Sequence, residues 1–279
     1  MSNDIPRMKR AFDLVVGLPM LFFLLPVLAA STMCLLIAEG RPAFYISRRR
    51  VDRGPAQKII KFRTMRRDAD RIANRATVPV NGTRFLNLPH DSPLYTPIGR
   101  LIERAMLTEM PQLVHVLQGR LSVIGNRPLP DNVVLALAET FPQTEQRFLV
   151  RCGLTGPVQL VGRDNLSDEA RLEVEIAYCE AVLRSYSVKL DLLILLYTVF
   201  GGLMGRFRLT HEGVLALIRR HSGSPVAVPT PEHLPPRPPP IDLGVPPAAP
   251  EARSLATELP ARRLVSVREQ LAVRQEGVR

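Results

Sequence analysis

The chain has 279 residues, enough for one substantial core, with 26 prolines and a formal net charge of +11. It has no tryptophan and few aromatic residues, which argues against a nucleic-acid surface built on base stacking. Its three cysteines, at positions 34, 152 and 179, match neither a disulfide framework nor a metal-ligand spacing. Residues 1–75 carry 15 Lys or Arg against six Asp or Glu. This local excess favours an anionic membrane surface or an anionic substrate as the partner.

Residues 14–38 contain no charged side chain, and this length is sufficient to span a bilayer. Pro19 and Pro26 interrupt the segment, and residues 14–25 alone would reach only about 18 Å as a helix. Basic clusters flank both ends, so the positive-inside rule places both flanks in the cytoplasm. We therefore predict a re-entrant membrane helix that enters the bilayer, bends near Pro26 and returns. A signal peptide and a single crossing of the membrane are the alternatives.

The next segment is rich in arginine and lysine. Residues 58–62 alternate between basic and apolar side chains, which predicts a short strand that packs through Ile59 and Phe62. Positive side chains on this strand are suited to a nucleotide pyrophosphate. For the arginines at 48–50, 66 and 67, contact with lipid headgroups is an equal alternative. Residues 76–97 contain four prolines and an Asn-Gly pair, which predicts a loop over the site.

Residues 104–130 are the segment around which the predicted site is organised. Apolar residues recur at i, i+3, i+4 and i+7, which predicts a short helix with one buried face formed by Met110, Leu113, Val114 and Leu117. Thr108 is the predicted N-cap, Pro111 falls in the first turn, and Gly119 ends the helix. Glu109 then lies at the positive end of the helix dipole.

A strand and a turn are predicted directly after this helix. Residues 121–124 are apolar and form the strand, and a Gly-Asn-Arg-Pro turn follows in which Pro128 restrains Arg127. A carboxylate at a helix start and an arginine on a rigid turn together predict a site for a metal-bound phosphate.

The rest of the chain is predicted to be mainly helical, with an extended segment at 154–163. We predict helices at 131–140 and at 168–184, the second capped by Ser167, with Arg171 and Glu175 paired across one turn. Residues 190–204 are apolar but too short to span, which predicts a core helix or an interfacial helix at the bilayer surface. Twelve prolines between 222 and 260 predict an extended or disordered segment, followed by a short helix at 262–273.

Five blocks of the sequence together carry a resemblance to a known family: KRAFDLVVG, KFRTM, TEMPQLVHVLQGRLSVIGNRP, GLTGPVQLVGR and YSVKLDLLILLYT. In this order they resemble the bacterial sugar transferases, the monotopic phosphoglycosyl transferases, over roughly residues 9–207. The resemblance implies transfer of a sugar-1-phosphate from a UDP-sugar to polyprenyl phosphate, with release of UMP and a magnesium ion. It also implies the cytoplasmic face of the bacterial inner membrane as the location, and initiation of exopolysaccharide or glycoconjugate synthesis as the role.

The resemblance also assigns roles to individual residues. By match to the family's blocks and by charge, the expected phosphate contacts are Lys61, Arg63, Arg127 and Arg163. Glu109 is the expected metal ligand. Thr108 and Glu109 stand where the family has an Asp-Glu pair whose Asp is the nucleophile, so Thr108 is the candidate catalytic residue beside Glu109. Either the Thr108 hydroxyl attacks the donor after a base removes its proton, or polyprenyl phosphate attacks directly.

Further departures from the family's pattern occur at three places in the chain. Asn126 replaces the first proline of its Gly-Pro-Arg-Pro turn, Leu94 stands where an arginine is usual, and Glu103 and Arg104 lie where another arginine is displaced. A non-catalytic relative that binds the donor, the lipid or a partner enzyme is therefore the alternative function. A basic membrane adaptor or nucleic-acid protein would explain the charge but not the ordered blocks.

The predicted fold class is α+β, mainly helical, with short strands and interfacial helices. The predicted organisation is a re-entrant membrane helix at 1–40, a sugar transferase core at 41–208, and a Pro-rich, largely disordered tail at 209–279. Expected partners are the UDP-sugar, polyprenyl phosphate and membrane lipids but no nucleic acid, with a further partner possible for the tail.

Overall fold

The fold is that of a computed structural model, which describes residues 6–67, 69, 94–162, 166–204 and 208–222. Three predicted features lie outside these ranges: residues 76–93 of the loop predicted at 76–97, the phosphate contact Arg163, and the Pro-rich segment from 223 with the helix predicted at 262–273.

The described residues form eight α-helices and four short strands, with two 3₁₀ segments at Met110–Gln112 and Pro142–Phe148. The helices are α1 (Arg7–Glu39), α2 (Pro97–Arg104), α3 (Leu113–Leu117), α4 (Asp131–Thr140), α5 (Val158–Val161), α6 (Asp168–Arg184), α7 (Val188–Met204) and α8 (His211–His221). The strands are β1 (Phe44–Arg49), β2 (Gln57–Phe62), β3 (Ser122–Ile124) and β4 (Gly153–Thr155). The prediction of a mainly helical α+β fold is confirmed.

The strands form two small sheets. β1 and β2 pair antiparallel, with Phe44 opposite Phe62, and β3 and β4 pair parallel. Close backbone approach around the second sheet requires glycine at two positions. A Cβ atom on Gly125 would lie 2.5 Å from the Arg151 carbonyl oxygen, and one on Gly156 would lie 2.2 Å from the Gly125 carbonyl oxygen. The glycines of the predicted turns therefore serve tight packing beside β3 and β4.

Two of the helices predicted from the sequence are present with their predicted bounds. α4 and α6 match the prediction, and Ser167 Oγ accepts the Ala170 N–H at 3.2 Å as the N-cap of α6. The prediction of an extended segment at 154–163 is wrong in its second half, where Val158–Val161 forms α5 and buries apolar side chains in the core. Gly162, at φ 96°, ends this helix.

The apolar helix α7 has two different faces. Leu190 and Ile194 are buried in the core. The opposite face exposes apolar side chains at helical spacing: Val188, Leu192, Leu196, Val199 and Phe200. α7 therefore contributes to the core and also presents an apolar stripe to its surroundings, as expected for a helix at a bilayer surface. The next helix, α8, packs on the same core through Val214, Leu215 and Ile218, so the tail predicted from residue 209 begins with a folded helix.

Helix α1 is the longest element and has the composition of a membrane segment. It is one uninterrupted helix of 33 residues, about 50 Å long, that includes both Pro19 and Pro26. It is long and apolar enough to cross a membrane, and only 6% of its most apolar window is buried. Phe22 and Phe23 in its middle are 71% and 75% exposed. The long exposed apolar surface is typical of a helix that contacts lipid.

Both ends of α1 pack against the folded core. Near its start, Phe12 belongs to the larger apolar core, and Gly17 lies against Val116. Near its end, Leu35 packs with Phe62 and Ile102 in a second, smaller core.

A buried ion pair fastens the start of α1 to the core. Lys9 Nζ contacts Asp191 Oδ2 at 2.8 Å, and both side chains are fully buried. Lys9 also donates to the Ile124 carbonyl oxygen at 2.8 Å and to the Tyr178 hydroxyl at 3.0 Å. One turn further on, Asp13 accepts the Val123 N–H at 2.9 Å. Because a buried charge is tolerated only when paired and hydrogen-bonded, this network fixes α1 against β3.

His115 joins α3 to β2. Its Nε2 accepts the Ile60 N–H at 3.2 Å, so the proton of the neutral ring lies on Nδ1, which is 3.3 Å from Gln118 Oε1. Burial lowers the pKa of His115, and the nearby Arg120 charge lowers it further, although the Gln118 hydrogen bond acts in the opposite direction. The neutral ring is therefore the form that the fold requires.

Removing one member of the buried ion pair is expected to destabilise the fold strongly. Lys9→Met leaves Asp191 charged, buried and without its cation, at a cost of about 3–5 kcal/mol in the free energy of unfolding. Urea unfolding of the detergent-solubilised protein measures this. Lys189→Met, the same change at an exposed position of α7, is the matched control and should have little effect. The double variant Lys9→Met/Asp191→Leu should recover part of the loss; a Lys9→Met protein as stable as the control would contradict the assignment.

The histidine contact predicts an acid-sensitive component of stability. Because the pKa of His115 is lowered in the folded protein, the unfolded chain takes up the proton first as the pH falls below about 6.5. The stability that neutral His115 contributes is present above that pH and is lost progressively below it. The glutamine of His115→Gln does not titrate. The difference in the free energy of unfolding between wild type and this variant should therefore shrink as the pH falls from about 8 to about 5.5. A difference that is constant over this range would contradict the prediction.

Candidate functional site

A sharp reversal after α2 places the first site residues. The Leu107 N–H donates to the Ile102 carbonyl oxygen and the Met106 N–H to the Glu103 carbonyl oxygen, both at 3.0 Å. This is the Schellman pattern, with Met106 at φ 57° in the position that glycine usually occupies. A left-handed methionine costs about 1–2 kcal/mol, which the packing of Leu107 near Ile102 helps to offset. The reversal returns the chain alongside the end of α2.

Thr108 uses its hydroxyl differently from the prediction. Its Oγ1 donates to Glu103 Oε2 at 2.6 Å, and Thr108 is buried. The 3₁₀ segment begins at Met110 with Glu109 at the N-cap, and no side chain caps it. The predicted N-cap role of Thr108 is therefore wrong, because the helical segment starts one residue later and the hydroxyl donates to a carboxylate instead of accepting a backbone N–H.

The buried face of the following helix is also shifted from the prediction. Leu113 and Val116 are fully buried, whereas Val114 is 43% exposed. The segment starts as a 3₁₀ turn and continues as α3. Since a 3₁₀ helix turns further per residue than an α-helix, an i, i+3, i+4 pattern that crosses the junction does not mark one face. Pro111 lies in the first turn as predicted, and Gly119, at φ 74°, follows the end of α3.

Glu109 and Arg127 meet in a bidentate ion pair. Arg127 Nη1 lies 3.0 Å from Glu109 Oε2, and Nη2 lies 2.6 Å from Oε1. Each side chain is about a quarter exposed, so the pair faces solvent on one side. Asn126 secures the turn that carries Arg127, since its Nδ2 donates to the Arg147 carbonyl oxygen at 2.8 Å. The structure thus brings together the two residues that the sequence selected most strongly.

The turn of Arg127 forms one wall of a cleft. The cleft is lined by Gly125, Asn126, Arg127, Gly156, Pro157, Val158, Gln159, Arg171 and Glu175. Its second arginine, Arg171, is buried and was not predicted as a site residue. Burial lowers the pKa of Arg171, and the charges of Arg147 and Arg127 lower it further, while Glu175 and Asp168 act in the opposite direction. Two arginines on one cleft make it suited to an anion.

Glu175, which was predicted to pair with Arg171, is bound at two points by Arg147. Arg147, fully buried, contacts the Glu175 carboxylate through Nε at 2.6 Å and through Nη2 at 2.8 Å. No local sequence pattern indicates this pair, because its members are 28 residues apart and belong to different elements. Glu175 lines the cleft and is held in position by Arg147.

Lys61 and Arg63 are not among the residues that line the cleft. Lys61 Nζ lies 5.1 Å from the centre of the Tyr45 ring, across the β1–β2 hairpin. Arg63 is buried, and its Nη2 donates to the carbonyl oxygens of Glu39 and Gly40 at 3.1 and 3.0 Å. These are the carbonyls at the end of α1, which a cation stabilises. The contacts that the structure describes for Arg63 are thus with the end of α1.

Glu109 is the carboxylate of the site that could bind a magnesium ion. Among the described residues, no three His, Cys, Asp or Glu side chains form a group that could hold a metal. Magnesium nevertheless often binds through one or two carboxylates together with substrate phosphates. Glu109 is a partly exposed carboxylate that Arg127 holds in position. It therefore fits a metal that is completed by a bound phosphate.

Comparison with known proteins places the chain in a family. Residues 5–205 match the family described as bacterial sugar transferase. The exopolysaccharide production protein ExoY of Sinorhizobium fredii is 29% identical over 199 residues, covering 68% of this chain and 83% of that protein. The uncharacterized sugar transferase EpsL of Bacillus subtilis is 31% identical over 192 residues, covering 69% and 85%.

A longer relative matches over only part of its length. The UDP-glucose:undecaprenyl-phosphate glucose-1-phosphate transferase of Escherichia coli is 28% identical over 209 residues, which are 71% of this chain but 41% of that protein. Residues 5–205, which match the family, include α1, the Glu109–Arg127 pair and the cleft. Because the family match covers well over half of its length, the chain belongs to the bacterial sugar transferase family.

Proposed function

We propose that the protein transfers a sugar-1-phosphate from a UDP-sugar to polyprenyl phosphate at a membrane surface, with release of UMP. The observation that carries the proposal is the Glu109–Arg127 pair, which opens onto a cleft with a second arginine, on the folded unit that also holds the exposed apolar helix α1. A water-soluble anionic donor and a lipid acceptor need such a combination. The name of the Escherichia coli relative, which states this reaction for glucose, supports the same reaction class.

Arg127 and Arg171 are the groups that would neutralise the donor pyrophosphate. Phosphoryl transfer depends mainly on positioning and charge stabilisation, and a guanidinium supplies both because it can bind phosphate oxygens in pairs. In the free protein Arg127 is held by Glu109, which keeps its position fixed before the donor binds. Lys61 and Arg163 remain further proposed phosphate contacts by match to the family's blocks, with Arg63 assigned to the end of α1.

Magnesium is the proposed cofactor, with Glu109 as its protein ligand. When bound, the ion would neutralise charge on the donor phosphates. Glu109 and Arg127 are mutually oriented by their two hydrogen bonds, so Glu109 holds a carboxylate next to the place where Arg127 would bind phosphate.

We propose that α1 enters the membrane without crossing it, from the cytoplasmic face of the bacterial inner membrane. The support is that both of its ends contact the folded unit, through Lys9 at the start and through Leu35 and the Glu39 carbonyl at the end. A polar unit of this kind cannot lie on both sides of a bilayer. Pro26 removes one helical hydrogen bond, and Thr32 Oγ1 donates to the Leu28 carbonyl oxygen at 2.7 Å; both features favour bending.

The alternative is a relative that binds donor or lipid without catalysis, and one observation favours it. Thr108 occupies the position of the family's nucleophilic Asp, and its hydroxyl is buried and hydrogen-bonded to Glu103. One assay distinguishes the transferase from the non-catalytic binding protein. In it, the membrane-extracted protein is incubated with a panel of UDP-sugars and polyprenyl phosphate. We expect UMP release matched by formation of lipid-linked sugar. Binding of a UDP-sugar without UMP release would establish the alternative.

Arg127 is expected to be required for transfer. Arg127→Ala removes the bidentate phosphate contact and should lower kcat/KM for UMP release by about 100-fold. Arg220→Ala, an exposed position at the end of α8, is the matched control and should retain wild-type activity. Equal rates in the two variants would contradict the role of Arg127.

A further inference from the structure

Glu103 contacts the candidate catalytic residue Thr108. Its Oε2 is 2.6 Å from Oγ1 of Thr108, and Thr108 directly precedes the metal-ligand candidate Glu109 in the chain. We propose that Glu103 is the nucleophile of the transfer, with Thr108 as a positioning residue that donates a hydrogen bond to it. This inference rests on the proposed function and names the group that attacks the donor.

Glu103 differs from the other two glutamates of this region in its partners. Both oxygens of Glu109 are bound by Arg127, and both oxygens of Glu175 are bound by Arg147. In the part of the chain that the structure describes, Glu103 is in no salt bridge, and its second oxygen, Oε1, accepts no hydrogen bond. A carboxylate oxygen without a guanidinium partner keeps its lone pairs for attack on phosphorus. Glu103 is partly exposed, so a substrate can reach it.

The local backbone directs this side chain to Thr108. Glu103 is the penultimate residue of α2, and the left-handed Met106 reverses the chain so that Thr108 returns beside it. The Thr108 carbonyl oxygen accepts the Phe62 N–H at 3.0 Å, which anchors Thr108 to β2. The hydroxyl that orients Glu103 is thus itself fixed by the hairpin, as a positioning group should be.

The chemistry favours the carboxylate over the hydroxyl as the attacking group. A carboxylate is already an anion, whereas a threonine hydroxyl must lose a proton in the first step and regain it in the second. The intermediates also differ in energy. A phosphothreonine diester is more stable than the pyrophosphate that the reaction forms, so the second step would run uphill. An acyl phosphate is at least as reactive as a pyrophosphate and passes the group on readily.

The two steps balance without any further reactant. In the first, a Glu103 carboxylate oxygen forms a bond to the sugar-bearing phosphorus of the UDP-sugar, and the bond from that phosphorus to the bridging oxygen breaks, so UMP leaves with the electron pair. In the second, an oxygen of polyprenyl phosphate attacks the same phosphorus, and the Glu103 carboxylate leaves as an anion. No proton is transferred in either step.

The test traps the intermediate in the membrane-embedded, full-length protein. The wild type is incubated with a UDP-sugar that supports UMP release, without the lipid acceptor, and its intact mass is measured before and after hydroxylamine. We expect an added phosphosugar that hydroxylamine removes, because acyl phosphates react with it and threonine phosphoesters do not. Peptide mapping should then find a hydroxamate at Glu103. This readout needs no variant, so it does not depend on how well a variant folds.

Variants give the second readout. Glu103→Gln keeps the shape and removes the nucleophile, so UMP release should fall by at least about a thousand-fold and the adduct should vanish. Thr108→Val should lower kcat by about 10-fold while the adduct stays at Glu103, and Thr108→Ser, which keeps the hydroxyl, should restore the rate.

Each other outcome contradicts a defined part of the proposal. A hydroxylamine-stable adduct at Thr108, UMP release that persists in Glu103→Gln, or lipid-dependent UMP release with no adduct would overturn the role of Glu103 and leave the proposed function intact. A wild type that releases no UMP with any UDP-sugar and polyprenyl phosphate would refute the proposed function, and the role of Glu103 with it.

Discussion

The buried pair of Lys9 and Asp191 is the interaction on which the rest of the arrangement depends. It lies at the start of α1, and Lys9 also donates to the carbonyl of Ile124, the last residue of β3. Gly125 and the turn of Arg127 follow directly. A charge pair without solvent contact is costly unless every partner is in place, so it selects one position of α1 relative to the turn. The apolar helix α1 and the cleft are thereby parts of one unit.

Three glutamates near the turn of Arg127 have different partners, and their partners indicate whether each has a structural or a chemical role. Glu175 is bound to buried Arg147 below the cleft, and Glu109 is bound to Arg127 at its rim. Glu103 meets a hydroxyl instead of a guanidinium. The departures from the family's pattern at 103 and 108 therefore lie in direct contact, and together they keep one carboxylate at this point of the fold.

Local patterns predicted local structure well. The capping serine of α6, the bounds of α4 and the stop at Gly119 all follow from interactions between residues close in the chain. Contacts between distant residues had no such signal. Lys9 and Asp191 are 182 residues apart, and His115 accepts from a strand 55 residues earlier.

In the candidate site, too, local features were predicted from the sequence and contacts between distant residues were not. Arg127 and Glu109 were selected from a helix start and a rigid turn, and they do meet. Arg63 was grouped with the phosphate contacts by match to the family's blocks and by charge. The structure adds contacts with the last carbonyls of α1, which only the fold brings near. Only the N-cap role predicted for Thr108 was wrong, because the turn at Met106 decides whether its hydroxyl accepts from the backbone or donates to a carboxylate.

The central claim is that α1 dips into one leaflet and returns, so that the cleft and the lipid acceptor meet on one side of the membrane. The most direct measurement is labelling with a membrane-impermeant maleimide, with single cysteines placed at Arg7 and at Arg48 in a Cys34→Ser background. Both cysteines should react in inverted inner-membrane vesicles, and neither should react in intact spheroplasts. Labelling of one of the two from the outer side of spheroplasts would show that α1 crosses the bilayer and would contradict the account.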